Sequence, residues 1–136
     1  MKFEIPNTPI AQQRPRLSKW GVYNPNSKQK ESAKWIVAEQ MVSEGYIKAA
    51  DGPIEVNLTF HMPIAKNSRR RAENALEGQW CCKGKDIDNL AKFALDVLNK
   101  IAYEDDRLVS KLTCEKIYSQ QPRVEIEVNP LKGRKA

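Results

Sequence analysis

Histidine occurs once in the 136 residues, at His61, and cysteine three times, at Cys81, Cys82 and Cys114. An odd cysteine count with two adjacent members is a poor disulfide framework. With no C-x-x-C pair and no second histidine, the chain also lacks the ligand set that zinc prefers. No apolar run approaches the ~20 residues of a membrane span. The first residues, Met1-Lys2-Phe3-Glu4-Ile5-Pro6, hold neither an apolar core nor a small-residue cleavage site, so they do not read as a signal peptide. Internal repeats and low-complexity tracts are missing as well. These absences lead us to expect a reduced, cytoplasmic compartment and one domain with no membrane contact.

What is present is positive charge. Lys and Arg number 23 against 17 Asp and Glu, a net charge of +6 with a sequence pI near 9.3. Such a balance favours a polyanionic partner, because phosphates neutralised by Lys and Arg release condensed counterions. Hydrophobic residues at 40% are enough for a single buried core without staples.

The patterning predicts a single α/β domain in the order β-α-β-(basic loop)-α-β-β, with a mixed sheet of about four strands and two main helices. Phe3 and Ile5 alternate with polar neighbours and define a short strand over residues 2–5. Asn7 to Asn26 reads as a loop, since prolines at 6, 9, 15 and 25 forbid a regular helix or a central strand. Its Arg14-Pro15-Arg16 can clamp a phosphate. A helix runs from Ser27 to about Gly45, capped by Asn26 or Ser27, with Trp35, Ile36, Ala38, Met41 and Val42 as its apolar face. Ile54 to Met62 alternates apolar and polar residues and is the clearest strand, with His61 on its solvent side. Lys66 to Lys85 is a basic segment containing Ser68-Arg69-Arg70-Arg71, where Ser68 can cap a short helix to about Glu77. A second helix opens near Asp86 and runs to about Ala102. Leu108–Tyr118 and Arg123–Val128 are strands, with Ser119-Gln120-Gln121-Pro122 as a hairpin turn. Residues 130–136 form a basic tail.

The chemistry concentrates on the second helix. Leu90, Phe93, Ala94, Val97, Leu98 and Ile101 share an apolar face. Asp88, Lys92, Asp96, Asn99 and Tyr103 gather in a polar stripe opposite, each i+4 step advancing about 40°. Two readings compete. Asp86 or Asp88 can be a helix cap, and Asp88–Lys92–Asp96 can be i,i+4 ion pairs worth ~0.2–0.5 kcal/mol each. Alternatively, Asp86 and Asp88 join the second acidic cluster, Glu104-Asp105-Asp106, around a hard Mg²⁺ or Mn²⁺ ion that takes oxygen ligands. Gathered carboxylates need a cation against their mutual repulsion, and Lys92 adds a fixed positive charge one turn from Asp88.

Asp86-Ile87-Asp88-Asn89-Leu90-Ala91-Lys92, then Leu95-Asp96-Val97-Leu98-Asn99, then Tyr103-Glu104-Asp105-Asp106 resembles the signature of the RusA Holliday-junction resolvases, common in bacterial prophages. Arg14-Pro15-Arg16, the Lys111-to-Tyr118 strand and Pro122-Arg123-Val124-Glu125-Ile126 are similar too. The likeness covers most of the chain. It implies a RusA-like endonuclease domain over 1–129, working as a homodimer that makes paired symmetric nicks in four-way DNA junctions with Mg²⁺ or Mn²⁺ and no small-molecule cofactor. It assigns the essential carboxylates to Asp86, Asp88 and Asp106, with Asp105 as the alternative to Asp106, and the essential lysine to Lys92. Asn89 and Asp96 match positions that orient the site, and Lys85 matches a basic position before the D-x-D. Here Lys83-Gly84-Lys85 stands where the family commonly has a Lys-Pro step. Phosphate contacts are expected from Arg14, Arg16, Arg69, Arg70, Arg71 and Lys85. A C2 dimer supplies two equivalent sites for the two cuts of a roughly two-fold junction. The other functions compatible with the sequence are a non-catalytic phage DNA-binding protein and a nuclease directed at flaps or forks.

Overall fold

The computed structural model describes residues 1–65 and 76–133. Its elements are β1 (Lys2–Pro6), β2 (Arg16–Ser18), β3 (Gly21–Tyr23), α1 (Ser27–Ser43), β4 (Ile54–Pro63), α2 (Ile87–Leu98), a 3₁₀ turn (Asp106–Leu108), β5 (Val109–Ser119) and β6 (Arg123–Pro130). The expected α/β domain with a four-stranded mixed sheet and two main helices is what forms.

β4 is the spine of the sheet. Ile54, Val56, Leu58 and Phe60 are each at most 1% exposed, while the alternate residues Glu55, Asn57 and Thr59 are half-buried. A strand this apolar on one face is best paired along both edges, and it is: the order is β1-β6-β4-β5. β6 runs antiparallel to β4 and β5 parallel to it. The turn at 119–122 therefore closes no hairpin, contrary to expectation. It carries the chain across the end of β4, a step of about two strand spacings, ~10 Å. The placement follows burial. Val124, Ile126 and Val128 of β6 reach the core, whereas β5 has only Ser119 buried and suits the edge. That edge is partly covered by the segment ahead of α2: Trp80 pairs with Ile117, and the Cys81 N–H donates to the Lys116 carbonyl at 2.9 Å.

Both helices pack on the apolar face of the sheet. α2 contributes Leu90, Ala91, Phe93, Ala94, Val97 and Leu98 to the core. At ~1.5–3 kcal/mol for each large apolar side chain buried, this helix is the main anchor of the layer. It stops at Leu98 rather than near Ala102. Asn99 turns away from helical geometry, and Lys100 takes a left-handed φ of 69°, which reverses the chain.

α1 is as expected in extent but not in facing. Ala33 and Val37 are its buried residues, with Ile36, Ala38 and Met41 half-buried, while Trp35 and Val42 lie on the solvent side at 72% and 84% exposure. Five apolar residues on an arc wider than the contact leave two of them outside. Gly45, at φ 66°, ends the helix: its N–H donates to Val42 O and that of Tyr46 to Met41 O. Asn26 occupies the position before α1 but makes no capping bond; its Oδ1 accepts from the Gln13 N–H at 2.6 Å instead.

The stretch read as a loop contains the β2–β3 hairpin, pairing Arg16 with Tyr23, Leu17 with Val22 and Ser18 with Gly21. His61 is also not on a solvent side. It is 7% exposed, with Nε2 2.7 Å from Glu125 Oε1 on the neighbouring strand. The helix expected from Ser68, and residues Arg134 and Lys135 of the tail, lie outside the described residues. No helix among the described residues is long and apolar enough to cross a membrane.

Candidate active site

Five of the six aspartates, all but Asp51, fall between positions 86 and 106, and the fold sets them at the two ends of α2. Asp86 is the residue before the first turn and Asp88 lies within it. Both are exposed, and Asp86 makes no side-chain capping bond. The helix starts without it because Leu90 N–H already reaches the Asp86 carbonyl at 3.1 Å. Lys92 is exposed as well. Among the described residues none of these three side chains has a hydrogen bond or ion pair, so the cap-and-ion-pair reading of the D-x-D finds no support.

Asp96, which sequence spacing would pair with Lys92, is taken by another cation. Lys30 Nζ of α1 stands 2.9 Å from Asp96 Oδ2 and 2.8 Å from Gln12 Oε1. The Gln12 N–H donates to the Asn89 carbonyl at 2.9 Å. Asn89 and Asp96, the two expected orienting positions, are thus the points where α1 and the Gln12–Gln13 segment are tied to α2. Sequence reasoning missed Lys30 and Gln12, because Lys30 lies 66 positions from Asp96 and neither sits in a motif.

At the far end, the Tyr103 side chain is fully buried rather than continuing the helical stripe. Its hydroxyl lies 2.8 Å from Asp106 Oδ1 and 3.1 Å from the Leu95 carbonyl, its one proton shared between them. Burial, with the like charges of Asp96 and Asp105, pushes the Asp106 carboxyl above the usual aspartate range, opposed by the Tyr103 hydrogen bond. Burial and the bond to Asp106 push the Tyr103 phenol far up, so it remains a donor. Asp105 is differently employed. It caps the 3₁₀ turn, accepting from the Arg107 N–H at 2.9 Å, and that bond with the nearby Lys100 lowers its carboxyl. Glu104 pairs with Lys48 at 2.9 Å.

Asp86 with Asp88, and Asp96 with Asp105 and Asp106, therefore form two acidic groups joined by the polar stripe of one helix. Among the described residues, no three His, Cys, Asp or Glu side chains converge tightly enough to hold a metal ion. The Lys85 carbonyl accepts from Lys116 Nζ at 2.8 Å, which fixes the backbone just before Asp86 while the Lys85 side chain stays exposed. Arg14 and Arg16 are exposed on and before the hairpin. Arg69, Arg70 and Arg71 lie outside the described residues.

α2 presents Asp86, Asp88 and Lys92 without protein partners among the described residues, on a small α/β domain. Residues 6–129 match the family described as Endodeoxyribonuclease RusA, and the chain belongs to that family of Holliday-junction resolvases. It is also similar to YqaN of Bacillus subtilis (strain 168), an uncharacterized protein, at 34% identity over 140 residues, covering 94% of each chain.

Proposed function

We propose that the protein is a metal-dependent, structure-selective endonuclease that resolves four-way DNA junctions as a homodimer, in recombination and repair. The observation that carries this reading is the trio Asp86, Asp88 and Lys92, exposed and unpartnered on the first turns of a helix whose other face is buried. Exposed charges left without protein partners are available to a ligand, and their mixed sign suits a cation together with a phosphate. The donor set is all oxygen, which fits Mg²⁺ or Mn²⁺. Asp86 and Asp88 are the residues that would hold the ion; Asp106, in the acidic group at the other end of α2, is the third carboxylate of the proposal and would have to be drawn in by the ion, Asp105 being used by the 3₁₀ turn. When bound, the ion polarises the phosphodiester and lowers the pKa of attacking water.

The chain's own residues do the rest. The free N–H groups at the start of α2 form an anion-attracting helix end, which draws a phosphate towards the D-x-D. Lys92 places positive charge where a non-bridging oxygen gains negative charge. Asn89 and Asp96, tied to Gln12 and Lys30, hold the helix against α1 so that this geometry is set before DNA arrives. Arg14, Arg16 and Lys85 hold the flanking backbone, with Arg69, Arg70 and Arg71 proposed for the same task. Two protomers supply the two cuts that separate a junction into nicked duplexes.

The test is cleavage of a labelled synthetic four-way junction beside a fork and a linear duplex, in Mg²⁺ and in chelator, for wild type and Asp88→Asn. Paired nicks in the junction that need the metal are expected, with the variant slower by about 100-fold or more. Because repulsion from the phosphate is relieved, the variant should bind the junction as well or better. Binding without cutting in either metal would leave a DNA-binding protein and remove the catalytic role.

A further inference from the structure

Every residue from Gln13 to Asn24 is exposed, yet this stretch is ordered as the β2–β3 hairpin rather than as a loop. Two-stranded hairpins are marginal alone in water. This one has a clamped base: the Gln13 N–H donates to Oδ1 of the buried Asn26, and the adjacent Gln12 N–H to the Asn89 carbonyl in the first turn of α2. The arm therefore rises beside the Asp86–Asp88 end of the candidate active site. Its two-residue tip is Lys19-Trp20, and Trp20 is 86% exposed, the most of any tryptophan in the chain. Lys19 Nζ stands 5.3 Å from the centre of the Trp20 ring. Arg16 and Tyr23, directly paired, share one face of the hairpin.

A tryptophan held out in water on a projecting turn buries nothing for its own fold. Its surroundings define what can cover it. From Ile5 to Lys30 the chain has Arg14, Arg16, Lys19, Lys28 and Lys30 and not one Asp or Glu. That excess selects a polyanion, and it disfavours a second copy of a chain whose net charge is already +6. A polyanion that also offers flat aromatic faces is a nucleic acid with unstacked bases. Intact duplex hides those faces; a branch point exposes them. Stacking accepts any base, so it confers selectivity for shape and not for sequence.

We propose that the β2–β3 arm is the branch-sensing element: Trp20 stacks on a base unstacked at the branch point, while Arg14 and Arg16 hold the phosphates on either side. The proposal rests on the reading of the protein as a nuclease for branched DNA and assigns its structure selectivity to a residue outside the acidic site.

The experiment uses the full-length protein with Ca²⁺ in place of Mg²⁺ and a four-way junction carrying 2-aminopurine beside the branch point. Wild type should quench the probe on binding. Trp20→Ala should lose the quench and weaken junction binding by roughly 5- to 150-fold, the range that corresponds to removing one base–aromatic stack. Duplex binding should change by less than about threefold, and Trp20→Phe should retain most of both signals. An equal loss on junction and duplex, or no loss on either, would overturn the proposal. So would a Trp20→Ala protein whose sedimentation shows a changed oligomeric state, since the arm would then dock on a second copy. Circular dichroism and melting of the variant, expected to match wild type, separate stacking from misfolding. The nuclease reading fails independently: if Asp88→Asn cuts as fast as wild type, the catalytic assignment falls while the quench and its loss in Trp20→Ala still stand.

Discussion

Asp106 carries a conflict at the level of a single side chain. It is half-buried beside Asp96 and Asp105, and it takes the proton-sharing hydroxyl of Tyr103. Burial and like charge raise its pKa above 3.8, the usual value, so the folded protein holds this proton more tightly than the unfolded chain does. A raised pKa gives stability that is present below the unfolded value and lost as pH rises through the folded one. Asp106→Asn keeps an acceptor for Tyr103 and has no charge to develop. In chelator the variant should melt with wild type at low pH and slightly above it at neutral pH, by at most ~3 °C because solvent screens a partly open group. If Asp106 completes a metal set, the same variant should lose cleavage. A neutral-pH melt below wild type would show that the ionised carboxylate stabilises the fold. Asp88 has no such structural duty, and a stability change in Asp88→Asn larger than ~0.5 kcal/mol would contradict its lack of partners.

Among the elements, the two helices have opposite economies. α2 buries six residues and places its charges on a narrow remaining stripe, so its sequence reports both the core and the site. α1 buries only Ala33 and Val37, and its long apolar side chains Trp35 and Val42 face outward. Leu98→Ala, in the fully buried last turn of α2, should cost ~2–5 kcal/mol by chemical denaturation. Val42→Ala should stay within ~0.5 kcal/mol, as suits a surface position. A large loss at Val42 would mean that this face is covered in solution. The shared side of Asp88, Lys92 and Asp96 was legible from the i+4 spacing because helix geometry alone brings such residues together. The Lys30–Asp96 and Gln12–Asn89 ties were not, since they depend on how α1 and α2 pack.

Across the whole molecule, the charge is unevenly spread. The sheet face away from the helices carries Glu55 on β4 and Glu125 on β6, partly offset by Lys111 and Arg123, whereas Arg14, Arg16 and Lys19 stand on the arm beside the D-x-D. DNA should therefore approach from the helix and arm side. Junction affinity should fall steeply with salt, and Arg14→Ala and Arg16→Ala should each reduce the slope of log K against log[salt] by about one. Unchanged slopes would place the phosphate contacts elsewhere.

Alternation and helical spacing were enough to mark the four sheet strands and both helices, because each depends on residues close together in the chain; the family was legible from the resemblance of its motifs instead. Strand order was not readable: the 119–122 turn looks like a hairpin locally, and only competition for the edges of β4 separates β5 from β6. His61 and Tyr103 were misread for the same reason, since what covers a side chain is set by neighbours distant in sequence. The Asn7–Asn26 stretch is the third case. Its prolines argue against regular structure, but a clamp between Gln13 and Asn26 and a tie to Asn89 make it a fixed arm beside the candidate active site. Periodicity fixes which face a residue occupies; long-range packing decides what stands opposite it.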